Sequence, residues 1–373
     1  MLSNLQQLEK PKIWVLAPRL ETNEENIEYY YDFSQSIDEY HKVFAQLQLP
    51  WEWKDVTTIN FKKNIDAICE EAVDFTPIIL NLCDGDEING APGISVIHYL
   101  IEKKLRFTGS DIRFYENTTS KIIMKKIFDQ KNISHAAWKP IHHPEQYIKD
   151  ISSSLEIPFI VKPAISGGSM GLGTRNVIKE EKELYPLIKS LFEGYKGWDF
   201  TYGGLVAESF INGPEFTTFI SGSYTHAQQA RVYTPVERLF HEALPDTEKF
   251  LSFDRLWETY EKEKRVNEED DFYQYRKAPA PLIKMIKDIS WEAYCAVEGT
   301  GYGRVDIRMD KNTGALFVLE VNAQCGLSED ENFTSIGAIS NIGNHPYHEM
   351  IAHILEDACI RHNSRITQHK IHS

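Results

Sequence analysis

The sequence predicts a three-domain protein of mixed α/β and α+β class, and three observations carry that expectation. Two buried-strand runs, Lys12-Ile13-Trp14-Val15-Leu16-Ala17 and Pro77-Ile78-Ile79-Leu80-Asn81-Leu82, alternate with helical stretches. A strand, a glycine loop and a second strand succeed one another between Pro158 and Ile178. A two-stranded hairpin then spans Gly303 to Asn322. A chain of 373 residues is too long for one compact core and suits two or three modest domains around a cleft.

Composition narrows the class. Hydrophobic content of 42%, charged content of 25% and aromatic content of 12% describe a globular protein rather than a disordered or membrane-embedded one. Lys and Arg number 40 against 55 Asp and Glu, and the net charge of -15 opposes a phosphate backbone, so no nucleic-acid partner is expected. Cys69, Cys83, Cys295, Cys325 and Cys359 form no CxxC pair, which favours reduced thiols and a cytoplasmic setting. The first ten residues lack a basic start and an apolar stretch, and no run approaches the roughly 20 apolar residues of a membrane span. His362, His369 and His372 near the C-terminus read as a solvated tail.

Taken in order, the first strand at Lys12–Ala17 and the second at Pro77–Leu82 are followed by a helix over Ile94–Lys104, and then by a short strand and turn at Arg106-Phe107-Thr108-Gly109-Ser110. A first domain closes near Glu116. The next helix is expected over Thr119–Asn132, with Thr118 or Thr119 as cap and Ile122, Ile123, Ile127 and Phe128 on one face. Pro158–Pro163 is a strand, Ile165–Gly173 the glycine loop, and Thr174-Arg175-Asn176-Val177-Ile178 a returning strand, which makes the loop a hairpin lid rather than a helix-opening phosphate loop. Leu205–Ile211 and Glu215–Ile220 are read as antiparallel partners across Asn212-Gly213-Pro214. From Glu237 to Pro281 charge and aromatics crowd without period, as in a long surface excursion. A helix over Leu282–Val297 leads into the hairpin.

On a strand, residues two apart share a face, so Arg304 and Asp306 point one way, as do Glu320 and Asn322 on the partner strand. Val305, Ile307, Leu319 and Val321 would pack inward. Oxygen donors from Asp306, Glu320 and Asn322 suit magnesium, a hard ion that keeps waters and phosphates in its shell. A cross-strand salt bridge from Arg304 to Glu320 is the alternative, and the acid excess on one face weighs against it.

Backbone amides of Gly167, Gly168, Ser169 and Met170 can approach phosphate oxygens, because nearby side chains are small or absent. Lys162, before the loop, and Lys121, at the start of a helix, would add cations. Each feature alone is commonplace. Triphosphate with magnesium requires them together.

Phe107-Thr108-Gly109-Ser110, Ser120-Lys121, Val161-Lys162-Pro163 with its glycine loop, Gly213-Pro214-Glu215-Phe216-Thr217, Gly303-Arg304-Val305-Asp306 and Leu319-Glu320-Val321-Asn322 with Gly326 stand in one order along the chain. From Pro77 to about Ile351 the sequence resembles the ATP-grasp superfamily, and within it the D-alanine:D-alanine ligase branch. The resemblance implies ATP clamped between the central and C-terminal domains. Adenine would lie against Glu208-Ser209-Phe210-Ile211 and the ribose near Glu215. Lys121 and Lys162 would hold phosphates, with Gly167, Gly168 and Ser169 over them. Two magnesium ions, or manganese in their place, would sit on Asp306, Glu320 and Asn322. Arg304 and the Gly326 amide would face the oxyanion, and Lys262 or Lys264 would reach the γ-phosphate from a mobile lid.

The implied activity is ATP-dependent ligation of a carboxylic acid to an amine through an acylphosphate, releasing ADP and phosphate. Alternatives are D-alanine:D-alanine ligation itself, joining of an amino acid to a small natural-product acid of the mycosporine type, or a non-catalytic ATP-binding regulator. The branch often forms dimers through its first domain, which leaves a homodimer open. Glu21 lacks the glycine-rich turn that precedes the family's first-domain glutamate, Gly168 replaces a serine, and Glu331 stands near another serine's place. The expected domains are 1–116, 117–204 and 205–373.

Overall fold

The computed structural model describes residues 3–20, 32–145, 148–257, 263, 271–330 and 334–372, and of 148–149 and 368–372 the backbone alone. Three sheets organise them.

The first sheet comprises β1 (Pro11–Pro18), β2 (Trp51–Val56), β3 (Thr76–Asn81) and β4 (Arg106–Phe107), all parallel, in the order β2-β1-β3-β4. Ile13 through Ala17 are wholly buried. That continuous apolar run is what a parallel strand covered on both faces requires. Around the sheet lie the short α1 (Ser3–Gln6), α2 (Ser34–Leu47), α3 (Phe61–Glu71) and α4 (Ile94–Glu102).

Two helices, α5 (Ile112–Thr119) and α6 (Lys121–Lys131), lead to the second sheet. The single helix expected over Thr119–Asn132 is thus two. Thr118 and Thr119 belong to the end of α5, where their hydroxyls donate to carbonyls one turn back, and Ser120 is the extended residue that separates the helices. Ile123 is exposed, and Met124 and Lys125 are buried with Ile122 and Phe128.

The second sheet contains β5 (Trp138–Ile141), β6 (Phe159–Pro163), β7 (Val177–Ile178) and β8 (Leu205–Ser209) in the order β5-β8-β6-β7. Helices α7 (Ile148–Ser154) and α8 (Leu184–Phe192) accompany it. The return from the glycine loop is a 3-10 turn over Thr174–Asn176, and only Val177 and Ile178 pair with β6. Asn176 prevents an earlier strand. Its buried amide donates to Val161 O and Gly171 O while its oxygen accepts from Gly173 N, fixing a turn.

The third sheet is antiparallel: β9 (Glu215–Ser221), β10 (Arg231–Val232), β11 (Val236–Phe240), β12 (Tyr273–Lys277), β13 (Tyr302–Met309) and β14 (Leu316–Ala323). The short α9 (Phe253–Leu256) and the long α10 (Ala280–Ala296) lie between its strands, and α11 (Ser335–Gly343) and α12 (Tyr347–His372) follow. Its main order is β12-β11-β9-β13-β14, so the β8–β9 pairing read from Asn212-Gly213-Pro214 is wrong. That segment lies instead against the β13–β14 turn, with Met309 N donating to Pro214 O and Lys311 N to Asn212 O. A Cβ on Gly213 would stand 2.0 Å from Met309 O, so glycine serves close backbone approach there. The stretch Glu237–Pro281 is no bare excursion, because it supplies β11, β12 and the start of α10.

A register shift between Asp306 and Ile307 pairs Asp306 with Glu320 but Ile307 with Val318. Leu319 is the extra residue of a β-bulge and is only half-buried, and Val318 takes the core place expected of it. Helix α12 closes the molecule. Its Met350, Ile351, Ile354 and Leu355 share a core with Val15 and Ile78 of the first sheet and Phe219 and Tyr302 of the third. Arg361 Nη2 donates to Phe107 O and Gly109 O at 3.0 Å each. Among the described residues no helix is long and apolar enough to cross a membrane.

Candidate active site

The third sheet presents a polar face assembled row by row. Thr217 of β9 stands opposite Asp306, and Asp306 opposite Glu320. Arg304 stands opposite Asn322, and Arg308 opposite Glu215, which in turn faces Arg238 of β11. Opposed residues of antiparallel strands share a face, so these side chains converge.

Arg304 forks over Asp306, donating from Nε at 3.1 Å to each carboxylate oxygen and from Nη2 at 2.8 Å. Asn322 Nδ2 donates to Asp306 Oδ2 at 3.0 Å. Burial works against the Arg304 charge, but Asp306 outweighs it and holds the guanidinium well above its ordinary pKa. The cross-strand bridge weighed from the sequence is not formed among the described residues; Arg304 pairs instead with Asp306 on its own strand. The Thr217 hydroxyl opposite Asp306 is buried and has no hydrogen-bond partner among the described residues.

Helix α6 contributes two lysines, Lys121 to this face and Lys125 to Glu208 of the second sheet. Lys121 Nζ lies 3.6 Å from Glu320 Oε2 and donates to Ser166 O of the glycine loop at 3.3 Å. One ammonium thus touches both the carboxylate strand and the loop. The turn that starts α6 is fixed by Lys121 N donating to Ala164 O at 2.8 Å. One helical turn on, Lys125 is 1% exposed and pairs with Glu208 at 2.5 Å, while Lys162 closes on the other oxygen of the same carboxylate. Burial pushes the Glu208 carboxyl up, but the two ammonium groups win and bring it down to about 2.

Glu215 repeats the arrangement with guanidinium groups. Arg238 pairs with Oε1 and Arg308 donates from Nε to Oε2 at 3.1 Å. Burial opposes its ionisation, yet the two arginines hold the carboxyl below the usual range. Arg308 also donates to Ile211 O at 3.0 Å and stacks its guanidinium 5.2 Å from the Phe210 ring, so the strand end Glu208–Ile211 and Glu215 meet through one arginine. Glu208 and Glu215 each carry two cations, and the face holds excess positive charge next to Lys121.

In the glycine loop, Gly168 and Ser169 both have positive φ, at 53° and 58°. The Met170 amide donates to Gly167 O and is not turned outward as expected. Trp257 Nε1 donates to Gly168 O at 2.8 Å, and Ser169 Oγ to Leu251 O at 3.0 Å, so the segment around α9 braces the loop. Glu263 joins that brace by accepting from Thr174 N at 2.6 Å. Gly326 is exposed and lies past Gln324 and Cys325. Lys262, Lys264, Glu21 and Glu331 lie outside the described residues.

The donor set of two carboxylates and one amide oxygen is hard, and it fits magnesium rather than a softer metal. Sequence reasoning missed Lys125, Arg238 and Arg308. Lys125 was signalled by its i+4 spacing from Lys121, and Arg308 by its period-2 spacing from Arg304 and Asp306. Arg238 sits in the stretch read as an excursion.

Comparison with known proteins adds a second line. The family model described as D-ala D-ala ligase C-terminus matches residues 127–356. A D-alanine–D-alanine ligase of Treponema denticola is 25% identical over 269 residues, covering 69% of this chain and 64% of the relative. One of Ruminiclostridium cellulolyticum is 22% identical over 321 residues, covering 82% and 74%. Among the curated relatives that match, the chain spans 64% of the first and 53% of the second, a Borrelia duttonii D-alanine–D-alanine ligase. A crystal structure of D-alanine–D-alanine ligase from Bacillus anthracis complexed with ATP has a TM-score of 0.65 at 18% identity, covering 96% of this chain and 99% of that one. Another, from Coxiella burnetii, has a TM-score of 0.65 at 14% identity and covers 98% and 99%. These structures share the fold class expected from the sequence.

Proposed function

The chain belongs to the D-ala D-ala ligase C-terminus family, and from that premise we propose that it is an ATP-dependent carboxylate–amine ligase. The observation that carries this reading is Lys121, whose ammonium touches both Glu320 and the glycine loop. A cation there suits a polyphosphate lying under the loop and reaching the carboxylate strand.

In the proposed reaction a substrate carboxylate oxygen attacks the terminal phosphorus of ATP, the bridging bond breaks, and ADP leaves. The amine then attacks the acyl carbon, the tetrahedral intermediate expels phosphate, and the amine gives up a proton. Lys121 and Lys162 hold phosphate oxygens beneath Gly167, Gly168 and Ser169. Arg304 faces the acyl oxygen and, with the Gly326 amide, receives the oxyanion. Asp306, Glu320 and Asn322 would hold magnesium ions, which would neutralise phosphate charge. The strand end Glu208–Ile211 backs the adenine. Glu215 sits where the ribose hydroxyls would come, and since Arg238 and Arg308 occupy both its oxygens, they share in that contact.

The relatives' names make D-alanine the first acid and amine to try. The test is ADP and phosphate formation by the purified chain with ATP, magnesium and pairs of amino acids. Release that depends on both an acid and an amine supports a ligase. Release that ignores them supports a simple ATPase and overturns it.

A further inference from the structure

Strand β14 ends at Ala323, and the chain turns at Gln324, two residues after Asn322 and two before Gly326. Gln324 makes that turn with a φ of 54°, a left-handed conformation that residues with a side chain rarely take, and it is 2% exposed. Glycine would take the same conformation without strain. It lacks the amide that this position uses.

Every donor and acceptor position of that amide is engaged. Nε2 donates to Asn81 O at 3.0 Å and Cys83 O at 2.9 Å, at the end of β3, while Oε1 accepts from Ser110 N at 3.2 Å and Ser110 Oγ at 3.0 Å, beyond β4. Two carbonyls on one side and an N–H on the other admit one orientation of the group. Gln324 N donates to Tyr302 O at 3.3 Å and closes the β13–β14 ladder. The neighbouring backbone makes room for the side chain: Gly109 has a φ of 82°, and a Cβ there would stand 2.6 Å from Gln324 Oε1. One side chain of the third sheet thus joins two strand ends of the first. Gly326 is exposed and its amide has no hydrogen-bond partner among the described residues, so its direction follows from the turn at Gln324 and from the buried Cys325 and Leu327 on either side.

We propose that Gln324 is a positioning residue of the ligase: by tying the turn between them to the first sheet, it holds Asn322 and the Gly326 amide in one fixed relation. This rests on the ligase reading, in which Asn322 serves magnesium and Gly326 the oxyanion. A strained backbone persists only where its surroundings over-determine it, and four hydrogen bonds on one side chain do so here. Reacting groups misplaced by about 1 Å lose on the order of 100-fold in rate, so a turn released from the first sheet has a kinetic cost even if the fold survives.

The experiment compares Gln324→Met and Ser110→Ala with the unaltered full chain. Methionine keeps the length of the side chain and loses its four hydrogen bonds; the alanine removes only the Ser110 Oγ bond. Hydrogen exchange, the number of ATP sites per chain and ADP formation with the acid and amine pair that gives turnover are measured on each. Gln324→Met should speed amide exchange about tenfold or more in residues 81–83, 109–111 and 322–326 and leave β5 and β8 protected. Its kcat per ATP site should fall about 10-fold to 100-fold with KM for ATP unchanged, and Ser110→Ala should move the same way by less. A merely structural role lowers the number of ATP sites and scales turnover with it, leaving kcat per site as it was. If Gln324→Met does not fold, Ser110→Ala decides by the same readings. Unchanged exchange, or faster exchange with kcat per site unchanged, overturns the Gln324 role and leaves the ligase standing. ADP release that ignores acid and amine, or none with any pair, overturns the ligase reading and the positioning role with it.

Discussion

Lys125 and Glu208 form an ion pair at 2.5 Å in which the lysine is 1% and the glutamate 2% exposed. A buried charge is costly unless its partner stays in place, so Lys125→Met should destabilise the fold. Lys162 remains on Glu208, which puts the loss near the low end for a broken buried pair, about 3 kcal/mol in urea denaturation. The pH dependence has a definite sign. The Glu208 pKa is depressed from 4.5 to about 2, so its stabilisation is present above pH 4.5 and is lost as pH falls toward 2. Glu208→Gln should flatten the acid limb of stability in that window.

Glu320 separates activity from stability. It is 29% exposed at the side chain and 3.6 Å from Lys121, so removing it costs the fold about 0.5 kcal/mol or less. Under the ligase reading Glu320→Ala should nonetheless lower ADP formation by about 100-fold or more. Undiminished turnover would remove Glu320 from the magnesium site.

How far the site could be read in advance depended on period and on backbone approach. Arg304, Asp306, Glu320 and Asn322 were legible because alternation on two adjacent strands leaves one geometry, and the glycine loop because its strands flank it closely in sequence. The bulge at Leu319 has no signature in Leu316–Asn322, where every residue would also suit a regular strand. Asn212-Gly213-Pro214 imitates a hairpin turn, and only the approach of Met309 O to Gly213 shows why glycine is there. Arg238 was hidden because β11 gains its burial from β9 and β12, which are distant in sequence. The brace from Trp257 to Gly168 is likewise long-range.

His362, on α12, is buried rather than part of a solvated tail, and it gives a pH effect of the same sign at higher pH. Burial, with Arg106 and Arg365 nearby, lowers its pKa from 6.5 to about 4, so the folded chain keeps it neutral while the unfolded chain protonates it. Between pH 6.5 and 4 the unfolded state binds more protons, and stability falls as pH is lowered. His362→Gln should remove on the order of 1–2 kcal/mol of the difference in unfolding free energy between pH 7 and pH 4.5. Equal pH dependence in both proteins would assign the effect to other groups.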